Sequence, residues 1–149
     1  MLPPVVKSIT VPCSKERAFE LFTRDIATWW PLDKHSVSAM SGKVARDIKV
    51  DWAKGGEVWE IDHAGEKVLW GSVAEFTPSS GVALNWHING PADQATLVEV
   101  AFAANGEGCD VVLTHSRWEA HGEQGENMRS GYNGGWVHVF EECFQTACG

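Results

Sequence analysis

No stretch of this sequence stays apolar over the ~18 residues that a transmembrane helix needs. The opening Met1-Leu2-Pro3-Pro4 has no basic region leading into an apolar run, so no signal peptide is visible and the cytoplasm is the expected compartment. Cations are scarce. Lys and Arg number 12 against 20 Asp and Glu, a net charge of -8, which suits neither a phosphate backbone nor an anionic membrane surface. Nucleic acid and membrane are therefore set aside as partners. The four cysteines, Cys13, Cys109, Cys143 and Cys148, are spaced like neither a zinc site nor a redox pair. Packed, reduced thiols are expected, with Cys148 exposed on a frayed terminus and open to oxidation. No two of the six histidines stand in H-x-H or H-E-x-x-H spacing, so no metal and no cofactor are expected. A G-x-S-x-G nucleophile motif is missing as well.

Tryptophan is abundant instead. Eight indoles, from Trp29 to Trp136, are spread along 149 residues, a length that suits one domain with a sizeable core. Each buried indole needs a partner for its N–H, so this many rings point to a ring-lined cavity or to an exposed aromatic patch.

Hydrophobic periodicity supplies the elements. Residues 5–11 read as a strand. Ser14 stands at an N-cap position before a helix over 15–23, and a second short helix over 25–30 must stop before Pro31. The polar segment 31–43 reads as a long loop, of a length that is often functional. Six alternating segments follow, at 44–52, 57–62, 67–77, 82–87, 96–103 and 110–117, joined by short turns, with a loop at 89–93. Their apolar faces are predicted as Ile48, Val50 and Trp52; Trp59 and Ile61; Val68, Trp70, Ser72, Ala74 and Phe76; Val82, Leu84 and Trp86; Val98, Val100 and Phe102; and Val111, Leu113 and His115. Such connections imply an antiparallel meander with one covered face. The cover is a helix over 124–146, with Met128, Tyr132, Trp136, Val139 or Phe140, and Cys143 on one stripe. Gly131, Gly134 and Gly135 weaken it by roughly 3 kcal/mol against alanine. Close approach to the sheet, space kept for a ligand, or a bend or early end of the helix are the open explanations. The prediction is one α+β domain over 1–149, ordered β-α-α-β6-α: a curved antiparallel sheet wrapped around a long C-terminal helix.

That order is the helix-grip arrangement, and the local sequence resembles a family that has it. V-P-C-S-K-E-R-A-F-E-L-F-T at 11–23 resembles the first strand and helix of the SRPBCC (START-like) superfamily. W-W-P-L-D-K-H-S-V at 29–37, L-T-H-S-R-W-E at 113–119 and M-R-S-G-Y-N-G-G-W at 128–136 resemble one bacterial branch of it. Members of that branch are often described as relatives of the activator of the ninety-kilodalton heat-shock chaperone's ATPase. The resemblance implies a cavity between sheet and helix and, most commonly, the binding of a small hydrophobic ligand. It also implies two alternatives: cyclase or dehydratase chemistry on polyketide-like or aromatic substrates, and a chaperone partner.

His115 shares strand parity with Val111 and Leu113, and Tyr132 lies on the inward helix stripe. Together they could orient or protonate a ligand carbonyl, or be two satisfied core groups. The candidate ligand-binding set is Trp30, His35, Trp59, Trp70, Trp86, His115, Tyr132 and Trp136, with His115 and Tyr132 also the catalytic candidates. His35 is placed at the cavity rim. The same indoles can equally be plain core.

Overall fold

Alternating apolar residues dominate the middle of the chain, and they form one antiparallel sheet of seven strands. The computed structural model describes residues 2–88 and 90–149. The strands are β1 (Val5–Val11), β2 (Asp47–Val50), β3 (Glu57–Ile61), β4 (Lys67–Thr77), β5 (Gly81–Trp86), β6 (Thr96–Asn105) and β7 (Gly108–Ser116). From β2 to β7 each strand pairs with the next, and β1 returns to lie beside β7, with Val5 opposite His115. Asn89, the start of the expected 89–93 loop, lies outside the described residues; the rest of that loop includes a 3-10 turn at Ala92–Gln94.

Ser14 caps α1 (Lys15–Phe22) as its position predicts: its hydroxyl accepts the Arg17 N–H at 3.1 Å, and the helix buries Ala18, Phe19, Leu21 and Phe22. The helix expected over 25–30 is only a 3-10 turn, Ile26–Thr28. The two indoles that follow turn to different backbone acceptors: Trp29 Nε1 donates to the Leu21 carbonyl at 2.6 Å and Trp30 Nε1 to the His35 carbonyl at 2.7 Å. The expected loop at 31–43 is not wholly irregular. It carries α2 (Val37–Met40), whose cap Ser36 accepts the Ala39 N–H at 3.0 Å.

The C-terminal helix is present. α3 (Gly125–Trp136) runs on through a π-helical stretch (Val137–Phe144) into a last turn, α4 (Gln145–Ala147). Its buried side chains, Trp136, Val139, Phe140 and Phe144, meet the sheet's inner row of Val98, Val100, Val111 and Leu113. An α+β helix-grip fold results. Cys148 is buried rather than exposed, because the chain end docks: its N–H donates to the Phe144 carbonyl at 3.1 Å and its side chain joins the core.

Two strands depart from the expected alternation. In β3 the inward residues are Val58 and Glu60, so Trp59 and Ile61 face the other way. In β4 two irregularities leave Trp70 and Ala74 without opposite partners. Each extra residue flips the parity beyond it. Gly71 and Val73 therefore replace Ser72 and Ala74 on the inner face, and Phe76 regains it.

Candidate functional site

A cavity of about 260 Å³ opens where α3 passes the end of β5 beneath the 31–43 segment. Its wall brings together five of the predicted residues, Trp30, His35, Trp86, Tyr132 and Trp136. The three indoles stand as a nearly equilateral cluster, with centroids 6.0 Å apart for Trp30–Trp136 and 6.1 Å for the other two pairs. Ring edges and faces at this spacing pack favourably and leave an apolar border.

The remaining three predicted residues lie elsewhere. Trp70 is fully buried behind Trp30 and Trp86, with centroids at 5.4 and 5.6 Å, and is core. Trp59 is on the outer face of the sheet, under the Lys67 ammonium at 5.6 Å, because β3 presents its other parity inward. His115 points inward but sits behind the cavity wall with no exposed surface.

His115 has both ring nitrogens engaged. Nδ1 accepts the Trp136 indole N–H at 3.0 Å, which assigns the proton to Nε2. Nε2–H then donates to Thr96 Oγ1 at 2.7 Å, and the Thr96 hydroxyl donates to the Trp86 carbonyl at 3.2 Å. A second proton would have to displace the indole. Burial first, and then the nearby His121, push the imidazole down to about 3. The ring is thus a neutral fixture that holds Trp136, and it is not free to exchange a proton with a cavity ligand.

Tyr132 is different. Its hydroxyl accepts the Trp86 indole N–H at 3.1 Å and keeps its own proton for an acceptor in the cavity. Burial raises its pKa, so it is a hydrogen-bond donor at neutral pH. His35 is the other polar group at the wall. Its pKa is lowered, first by burial and then by His138, whose ring centroid is 5.4 Å away. A neutral imidazole results, with Gly135 of α3 opposite it.

Gly135 and Val139, which the sequence offered as space for a ligand and as part of the helix stripe, do line the cavity; the liners Ile88 and Met40 and the buried Glu60 had no such signal. Glu60 was hidden because β3 carries bulky residues at both parities. The π-helical stretch hides another pairing: in an α-helix residues five apart point ~140° from each other, but here His138 Nε2 and Cys143 Sγ lie 3.7 Å apart. His138 Nδ1 faces Glu142 Oε1 at 3.4 Å. Burial raises the Cys143 thiol's pKa, so it rests protonated. Among the described residues no group of three or more His, Cys, Asp or Glu is placed to hold a metal ion. No described helix is long and apolar enough to cross a membrane.

Known proteins share this architecture. The anthrahydroquino-Gama-pyrone synthase Txn09 is 29% identical, with 89% of this chain and 88% of that one aligned at a TM-score of 0.62. CalC of Micromonospora echinospora, a self-sacrificing resistance protein, is 24% identical over 98% of this chain and 94% of its own, at 0.69. The Aha1 dimer from Colwellia psychrerythraea is 14% identical over 100% of both chains, at 0.64. Comparison with curated proteins finds no match. The profile of one family covers residues 12–145, most of the chain, and it is the family whose motifs the sequence resembles. This chain belongs to the Activator of Hsp90 ATPase homolog 1-like proteins, within the SRPBCC helix-grip group.

Proposed function

We propose that the protein binds a small apolar or aromatic molecule in the indole-lined cavity. One observation carries this reading. The interior is filled almost everywhere by rings and aliphatic side chains, yet about 260 Å³ is left open where Trp30, Trp86 and Trp136 converge. Sites for small molecules are typically apolar hollows with a few convergent polar groups, and the polar groups here are Tyr132 and His35. The volume lies near the lower end of the usual range, roughly 300–1,000 Å³, which favours a compact ligand over an extended one. The Tyr132 proton suits a carbonyl or hydroxyl on it. Likeness to a synthase at 29% identity supports the same class of ligand.

Tryptophan emission tests the proposal directly, since three indoles border the cavity. Titration with 1-naphthol, anthraquinone and related compounds should quench emission saturably. Trp136→Ala should weaken that binding at least about tenfold through lost ring contact. A panel that leaves emission unchanged at every concentration would overturn the reading.

A catalytic reading is favoured by one further observation: His35, held neutral, shares the wall with the Tyr132 hydroxyl. An acid–base pair for a cyclase-like or dehydratase-like step would be these two, with His115 supporting from behind. If turnover of such a substrate is found, it should fall in His35→Ala and Tyr132→Phe. Unchanged rates in both would leave binding alone. A chaperone partner has only the family's name in its support.

A further inference from the structure

The segment over the cavity hangs from a buried carboxylate. Lys34, His35, Ser36, Ala39 and Met40, all from 31–43, form one side of the wall. Yet this segment has little apolar anchorage beyond Leu32, which packs half-buried against the core: its fully buried residues are Ser36 and Ser38, and Met40 is 78% exposed. A helix of four residues has no stability of its own, so α2 needs an outside hold.

Glu60 of β3 supplies it. The side chain is 0% exposed and both of its oxygens accept. Oε1 takes the Val37 N–H at 2.7 Å and the Trp70 indole N–H at 3.1 Å. Oε2 takes the Ser38 N–H at 3.0 Å and the Ser38 hydroxyl at 2.7 Å. Ser38 Oγ in turn accepts the His63 N–H at 3.1 Å. Among the described residues, every hydrogen bond from α2 to the sheet passes through Glu60 or through the serine it holds. A charge in a protein interior is unfavourable unless fully paired, and an apolar side chain would fill the same place without that penalty. The carboxylate adds a directional hold that can be released locally, as expected of segments with few buried apolar contacts.

We propose that α2 and its flanking loop form a lid, and that Glu60 is the positioning residue that latches it over the cavity. Ligand exchange then proceeds through local release of this latch while the sheet and the C-terminal helix stay folded. The inference rests on the ligand-binding reading given above.

Glu60→Gln tests it, because the amide nitrogen presents hydrogens to a pair of donors and breaks their bonds. Amide hydrogen exchange is followed at Val37, Ser38 and Ala39 in the lid and at Val100, Val111 and Leu113 in the core. Stopped-flow release of 8-anilino-1-naphthalenesulfonate reports ligand exchange. The expected result is lid exchange at least about tenfold faster, core exchange unchanged, and probe release faster by a similar factor. Ser38→Ala, which removes one acceptor and one donor, should show the same pattern with a smaller rise, and it decides the matter if Glu60→Gln fails to fold. Acceleration of lid and core together would make Glu60 a support of the whole fold and overturn the proposal. Faster lid exchange with unchanged probe release would also overturn it, since the lid would not gate the cavity. If the unaltered protein binds no probe at all, the ligand-binding reading fails and the gate with it. If it binds normally and Glu60→Gln alters neither measurement, only the latch fails.

Discussion

The two halves of the C-terminal helix do different work. The first, α3, is rich in glycine and polar residues, and on its inner side carries Tyr132, Gly135 and Trp136, which border the cavity. The second, from Val137 onward, buries Val139, Phe140 and Phe144, with the last two at 0% exposure. Phe144 packs against Phe22, Trp29 and Phe140 at centroid distances of 5.3, 5.0 and 5.7 Å, where no room is left. Tyr132 and Trp136 instead touch His115 and each other on one side and face open space on the other. The helix grips the sheet with its second half and so can leave its first half standing off. A fold that must be both stable and hollow separates the two demands along one element.

Acid should break the first half hardest. Folded His115 titrates near 3 while an ordinary imidazole titrates at 6.5, so the folded ring stays neutral where the unfolded one takes a proton. The stability this confers is complete above pH 6.5 and is lost as pH falls toward 3, by roughly 5 kcal/mol in total. Urea midpoints measured from neutral pH downward should follow that slope. His115→Gln, which can still accept from Trp136, should flatten the slope between these values; an unchanged acid limb would show that His115 is not its source. The second half breaks by truncation. Phe144→Ala removes a fully buried ring and should destabilise by about 4 kcal/mol, read as a lowered thermal midpoint. Ligand quenching by the remaining folded protein should stay within about twofold, because Phe144 lies a turn beyond Val139, the last residue of the helix to line the cavity. A large loss of affinity at full folding would abolish the division.

The sequence made the central strands easy to read, but in the second half of the helix it put Cys143 on the inward stripe, where the wider π-helical turn instead buries Phe144 and leaves Cys143 half-buried. Val98–Val100–Phe102 and Val111–Leu113–His115 alternate without interruption, and all are buried as expected. It also named Trp30, His35, Trp86, Tyr132 and Trp136 as candidates, from strand parity, the helix stripe and the long loop, and these five line one cavity. What escaped it was local irregularity. The unpaired residues Trp70 and Ala74 change the parity of β4 without changing its composition, since bulges carry no strong side-chain signature. In β3, Val58 and Glu60 compete with Trp59 and Ile61, and hydrophobicity alone chooses the wrong pair. The winner is set by tertiary hydrogen bonds from Val37, Ser38 and Trp70, which no window of sequence contains. His115 was correctly turned inward, but its three-link chain to Trp136, Thr96 and Trp86 is a long-range arrangement that removes it from the cavity.

The smallest effects sharpen the comparison most, because they act within a single turn of α3. Gly131 and Gly134 face outward: a Cβ built at either meets nothing within 4 Å. Neither close approach to the sheet nor room for a ligand requires them. Gly131→Ala and Gly134→Ala should therefore each stabilise by about 1 kcal/mol, with no change in ligand quenching. Gly135 faces the cavity, where its Cβ would lie 3.6 Å from His35 Cε1, an ordinary contact that needs no rearrangement. Gly135→Ala should gain the same helical stability yet lose ligand affinity severalfold, because the added methyl occupies cavity space rather than solvent. Thermal midpoints and quenching titrations on the three variants separate the two quantities. Equal affinities across all three would mean that the ligand does not reach the turn at Gly135, and that the hollow used for binding lies nearer Trp86.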